Sequence, residues 1–303
     1  MSEVNKPLVL NRAAIGNSAE HLAAALAVKD EFRKELMREI EELDLLANVA
    51  ELDIQGYTII KNAAPLEFFQ ELREHIMAMS DERQKNGTYG DARGVFSDTI
   101  LNCVGKGRVF EEAVLNRKLN AIMAYLLGDG YVLNATNAIV VEQGSPALPL
   151  HSDNAYVPAP FPSYPVSATS VWVTEDLDAE SGASRVVPGS HKNARQPMPG
   201  EREDDAIAIP CPAGSIVVWN GATWHGNCGR HTEGKRVTFH TSCVLMHMRT
   251  FANNDAVPQD VVDRNPPLMG QLLGRGLPHG REGDGGPIPA LRQIAGRLSL
   301  RRL

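Results

Sequence analysis

The run Leu150-His151-Ser152-Asp153-Asn154 sets an imidazole and a carboxylate two residues apart. On an extended strand, residues i and i+2 share a face, so His151 and Asp153 offer a nitrogen and an oxygen to one point. A third donor must come from another strand. Trp224-His225-Gly226, which follows the hydrophobic run 215–220 and a turn, supplies His225. Two histidines and one carboxylate that leave coordination positions open form the ligand set of non-haem Fe(II) oxygenases. Alone, H-x-D is weak in a chain with 9 histidines, where a surface pair or a satisfied core histidine is the commoner reading.

The run Arg236-Val237-Thr238-Phe239-His240-Thr241-Ser242-Cys243 strengthens the metal reading. Period 2 puts Arg236, Thr238, His240 and Ser242 on one face, with Val237, Phe239 and Cys243 on the other. Such a strand suits a barrel whose interior is used chemically. Arg236 can pair bidentately with a carboxylate and Thr238 can add a hydroxyl donor, together a clamp for the distal carboxylate of 2-oxoglutarate.

The elements that must hold these groups are legible in outline. The pattern is helical from Asn17 to about Ala50, with Asn17 and Glu20 spaced as a capping box. Residues 56–60 read as a strand. Leu66, Phe69, Leu72, Ile76 and Met79 recur at helical spacing after Pro65, and 109–127 reads as one further helix ending at Gly128. The polar stretch 81–102 reads as a long loop or lid. After Gly130, β-rich runs at 131–141, 166–174, 206–210, 215–220 and 235–245 alternate with turns, which suggests an antiparallel barrel or jelly roll. Residues from Asn253 to Pro289 read as extended, followed by a short basic amphipathic end at 291–302 that docks on its own domain or frays. The whole is expected to be one α+β domain over 1–303: a helical region 1–55, a core 56–250 and an extension 251–303.

Composition excludes more than it names. The 303 residues carry 30 Lys+Arg against 37 Asp+Glu, a formal charge of −7, which argues against a nucleic-acid binder. No run approaches the ~18 apolar residues of a membrane span. Four scattered cysteines without a C-x-x-C pair, and no signal-peptide pattern at the N-terminus, fit a reduced cytosolic protein. Cys228, near His225 and His231, is a weak candidate nucleophile. The expected partner is a small molecule, and a homodimer is left open.

With these residues assembled, the sequence resembles the phytanoyl-CoA dioxygenase family of Fe(II)/2-oxoglutarate oxygenases from about Gly56 to about Arg249. Three pieces carry the resemblance: His151-Ser152-Asp153; Ser181 to His191, which contains Pro188-Gly189-Ser190-His191; and His225 followed by Arg236. The resemblance implies a double-stranded β-helix (jelly-roll) core flanked by N-terminal helices, with Fe(II), 2-oxoglutarate and O2 as cofactor and cosubstrates. It implies His151, Asp153 and His225 as metal ligands and Arg236 with Thr238 as cosubstrate residues. In that family, the carboxylate of Asp153 favours hydroxylation or another oxidation over halogenation.

Further polar contacts to cosubstrate or substrate are expected from Gln143 and Asn137. Substrate walls are expected at 85–102, 133–143 and 154–164, the last contributing Tyr156 and Phe161. Ser190 and His191 read as holding the Pro188-Gly189 turn in shape. Trp172, Trp219 and Trp224 read as core, with Trp224 packing against the metal site. The leading expectation is a hydroxylase of a small, fairly apolar metabolite. A non-catalytic barrel binding a ligand or structural metal is the alternative, and a zinc hydrolase ranks last because it leaves Arg236 unexplained.

Overall fold

The computed structural model describes residues 31–91 and 96–275. Helix α1 is described over 31–42, and α2 spans Leu46–Gln55, closing at Gly56 on a hydrogen bond from the Gly56 N–H to the Leu52 carbonyl. The capping box at Asn17 and the basic end at 291–302 lie outside the described residues. Strand β1 (Tyr57–Ile60) and helix α3 (Leu66–Lys85) follow as the pattern predicts. Phe69, Leu72 and Ile76 of α3 are buried, and Phe69 packs against Trp172 with ring centroids 5.4 Å apart.

Three expectations need correction. The polar stretch 81–102 is not one loop: α3 continues to Lys85, and Ser97–Ile100 forms edge strand β2. Its charged residue is buried for a reason. Asp98, fully enclosed, accepts hydrogen bonds from Ser80 Oγ, Arg83 and the Gly90 N–H, which staple the strand to α3. The helix expected over 109–127 is two, α4 (Arg108–Val114) and α5 (Arg117–Leu127). Asn116 separates them, its Oδ1 capping the Leu119 N–H at 3.0 Å. The segment after Asn253 is not extended throughout: it carries α6 (Gln259–Asp263) and α7 (Pro267–Leu272), which bury Val261, Met269 and Leu272 in the main core.

The remaining strands are β3 (Val132–Glu142), β4 (Leu148–His151), β5 (Ser167–Val173), β6 (Ser184–Val186), β7 (Ile207–Ala208), β8 (Ser215–Asn220), β9 (His225–Asn227) and β10 (Lys235–Val244). They build two sheets, a six-stranded β1-β8-β5-β10-β3-β2 and a four-stranded β4-β9-β6-β7, with antiparallel pairing throughout. This is the expected α+β jelly roll. Alternation along the large sheet sorts its residues. Trp172, Ile216, Val218, Val237 and Phe239 face the helices, whereas Val171, Val173, Val217 and Trp219 face the small sheet and meet Val186 and Ala183. The interior between the sheets is where the polar side of β10 points.

Candidate metal centre

His151 ends β4 and His225 begins β9, and the two are register partners across the small sheet. Each imidazole has one nitrogen committed. His151 Nδ1 lies 3.0 Å from the Pro149 carbonyl, and His225 Nδ1 lies 2.9 Å from the Thr223 carbonyl. A carbonyl oxygen only accepts, so in both rings Nδ1 carries a proton, which leaves Nε2 as the nitrogen able to coordinate. The rings sit 4.3 Å apart between centroids.

Asp153 completes the group. Its Oδ2 accepts from Thr169 Oγ1 at 2.7 Å and from Trp219 Nε1 at 2.9 Å, while Oδ1 faces His225 Nε2 at 3.5 Å. Ligand atoms of His151, Asp153 and His225 all lie within 4.8 Å of one another. Burial pushes the Asp153 carboxyl up, but the neighbouring imidazole of His225 and the bonds from Thr169 and Trp219 hold it below its ordinary 3.8. Burial also holds the His225 imidazole below its ordinary 6.5, against the pull of the Asp153 charge. The donor set is therefore two imidazole nitrogens and a carboxylate oxygen grouped within 4.8 Å of one another. Their lone pairs repel unless a cation lies among them, so the residues fit a divalent metal.

The backbone around the triad is fixed from several sides. Ser152, between the ligands, donates through Oγ to the Gly221 carbonyl, and its main chain is bracketed by the Gln196 amide. Ser190 accepts the Trp224 N–H at 2.8 Å, and the Val187 N–H reaches the Trp224 carbonyl, so the Pro188–Ser190 turn steadies the residue before His225. Gly226 is required by proximity. A Cβ there would lie 2.3 Å from the Leu148 carbonyl oxygen, inside the β4–β9 contact that juxtaposes the histidines.

Arg236 and Thr238 are both buried on the interior face of β10. Arg236 Nη1 donates to the Gly182 carbonyl. Gly182 has φ +86°, and a Cβ would touch the Cys228 carbonyl, Arg230 Cβ and Arg236 Nη1 at 3.4–3.5 Å, so glycine lets the chain turn beside the guanidinium. Thr238 Oγ1 sits 3.0 Å from His240 Nε2. Asn137 is the register partner of His240 and is half-buried on the same interior wall.

Other expected residues lie elsewhere. Gln143 is exposed beyond the end of β3, its amide donating to the His231 carbonyl at 2.8 Å, which ties two loops together. Phe161 is buried in a separate cavity of about 490 Å³ lined also by Leu52, Leu126, His191 and Ala222; none of the triad lines it. Tyr156 stands 79% exposed, edge to face with the exposed Phe251 at 5.2 Å. His191 is not part of the metal group; it packs under Gly56. Burial pushes the Cys228 thiol up, which argues against a thiolate nucleophile. Trp224 does not pack on the metal site. It is fully buried with Leu150 and Val187, its Nε1 donating to the Arg195 carbonyl. Trp219 does so instead, with its ring 4.4 Å from that of His225. Sequence reading missed this role and that of Thr169.

Residues 52–238 match the family profile described as Phytanoyl-CoA dioxygenase (PhyH). The chain belongs to the phytanoyl-CoA dioxygenase family. Among similar proteins of this kind, Dioxygenase af480 of Aspergillus fumigatus is 30% identical over 152 residues, 49% of this chain and 49% of the relative. Dioxygenase trt7 of Aspergillus terreus is 26% identical over 185 residues, 58% of this chain and 64% of the relative. The chain thus spans about half to two-thirds of the length of these relatives. The fold is shared with HygX from Streptomyces hygroscopicus, solved with nickel and 2-oxoglutarate (TM-score 0.54, 16% identity, 71% of this chain and 93% of that one). It is shared as well with the non-haem α-ketoglutarate-dependent carbocyclase SnoK from nogalamycin biosynthesis (TM-score 0.54, 19% identity, 66% and 83%). In this phytanoyl-CoA dioxygenase family member, the His151-Asp153-His225 cluster is the candidate metal site. Among the described residues, no helix is long and apolar enough to cross a membrane.

Proposed function

We propose that this chain is an Fe(II)/2-oxoglutarate-dependent oxygenase that hydroxylates an unactivated C–H bond of a small, fairly apolar metabolite, within one oxygenase domain. The observation that carries the reading is that ligand atoms of His151, Asp153 and His225 lie within 4.8 Å of one another, with Arg236 and Thr238 buried on the interior face of β10.

In this reading His151, Asp153 and His225 hold the iron, and Arg236 with Thr238 holds the distal carboxylate of 2-oxoglutarate. Bound iron with O2 and 2-oxoglutarate supplies the oxidising chemistry, the cosubstrate leaving as succinate and CO2. The chain's own part is positional. Pro149 and Thr223 fix the imidazole tautomers, and Thr169 with Trp219 holds one carboxylate oxygen so that the other stays available. Val171, Val173 and Val217 make the neighbouring interior wall apolar and buried. The exposed Tyr156, three residues beyond Asp153, and the exposed Phe251 packed against it support an apolar substrate. Fungal relatives carry the name dioxygenase, and structural neighbours include a carbocyclase, so the product decides the reaction class.

The test is product analysis. The purified chain with Fe(II), 2-oxoglutarate, ascorbate and a panel of apolar scaffolds is expected to give a product heavier by one oxygen, labelled when ¹⁸O2 is supplied. A product that is two hydrogens lighter and unlabelled refutes hydroxylation.

A further inference from the structure

The interior face of β10 is a lane of polar groups, Arg236, Thr238, His240 and Ser242, rather than an isolated pair. His240 sits in the middle. Its register partners are Asn137 on β3 and Val171 on β5, and its Nε2 lies 3.0 Å from Thr238 Oγ1. A threonine hydroxyl has one proton and two lone pairs, whereas a carboxylate only accepts. Thr238 can therefore serve a carboxylate only if its single proton points at it. If the hydroxyl spends that proton on a bare His240 Nε2, it turns lone pairs toward the anion and repels it. If Nε2 carries a proton, His240 donates to Thr238 Oγ1 and the threonine proton is released to the ligand. The second arrangement also strengthens the outer bond, because a hydroxyl that accepts becomes a better donor.

We infer that His240 is a positioning residue for the cosubstrate: it donates from Nε2 to Thr238 Oγ1 and so aims the Thr238 hydroxyl at the distal carboxylate of 2-oxoglutarate. The inference rests on the reading that Arg236 and Thr238 hold that carboxylate. His240 does not touch the cosubstrate; it acts through Thr238. Its contribution is that of one neutral hydrogen bond, so its loss weakens binding on the order of three- to ten-fold.

The experiment is calorimetric titration of the Mn(II)-loaded full chain with 2-oxoglutarate and with pyruvate, a 2-oxo acid without the distal carboxylate. His240→Leu is expected to weaken 2-oxoglutarate binding about three- to ten-fold, with pyruvate and Mn(II) affinities unchanged. His240→Gln, whose amide N–H reaches similarly far, is expected to recover most of the loss. In a Thr238→Val background the His240→Leu effect is expected to vanish. A loss shared equally by 2-oxoglutarate and pyruvate, a loss that persists without the Thr238 hydroxyl, or no loss at all overturns the inference. A wild-type chain that takes up Mn(II) but never binds 2-oxoglutarate overturns the cosubstrate reading and this inference with it.

Discussion

Trp219 Nε1 donates to Asp153 Oδ2 at 2.9 Å while the Trp219 ring lies 4.4 Å from that of His225, so one side chain orients two of the three candidate ligands. Thr169, its register partner across β5 and β8, donates to the same oxygen. The two strands that form the floor of the barrel thus set the direction of the carboxylate.

Trp219→Phe keeps most of the packing and removes the donor. Outer-sphere hydrogen bonds of this kind are worth about 10- to 100-fold in metal affinity. Titration of the variant with Mn(II) is expected to show a loss in that range, with thermal unfolding only slightly lowered. Unchanged affinity would mean that Asp153 needs no such support.

Gly226→Ala pushes a methyl to 2.3 Å from the Leu148 oxygen and 3.1 Å from that of Pro149. Strands β4 and β9 must part there, which separates His225 from His151. The expected cost is about 1–3 kcal/mol of stability, with a loss of metal affinity larger than that of Trp219→Phe. Chemical denaturation and the same Mn(II) titration read both.

The C-terminal helices are tied down by one acid. Glu111 on α4 is fully buried and accepts from Arg264 and from Asn265 Nδ2, with Arg108 at 2.8 Å. Burial pushes its carboxyl up, but the Arg264 and Asn265 bonds and the arginine charges hold it below its ordinary 4.5. A carboxyl depressed in the folded state stabilises the protein above its ordinary value. That stabilisation falls away as acid protonates the unfolded chain first. Glu111→Ala is expected to cost about 2 kcal/mol near neutral pH, because the part-exposed arginines left behind are taken up by water. It is also expected to flatten the fall in unfolding free energy below pH 4.5. A variant with the wild-type acid slope contradicts the assignment.

How much of this the sequence revealed depended on whether a strand has two different faces. β10 alternates polar and apolar, so the shared side of Arg236 and Thr238 could be read directly; Asp153, by contrast, lies in the turn after β4, which ends at His151, so the expected i, i+2 strand spacing does not itself place it. Strands β5 and β8 are buried on both faces and their residues are apolar or small, so nothing in the order of residues told which way Thr169 and Trp219 point. β4, β6 and β9 have three or four residues each, too few for any period, and exist because the barrel supplies their partners. Asn116 within a helical run was a legible cap signal for the α4–α5 break. Buried Asp98 was not legible, since its partners Ser80 and Arg83 lie a helix away.

The central claim is that His151, Asp153 and His225 hold the iron that turns over 2-oxoglutarate. It is tested most directly by succinate released from 2-oxoglutarate in air, comparing wild type with His151→Ala and Asp153→Ala at matched Fe(II). The account predicts iron-dependent succinate from the wild type and loss of at least 100-fold, on the order of a removed metal ligand or worse, from both variants, which remain folded. Succinate formation that continues undiminished in either variant would contradict it.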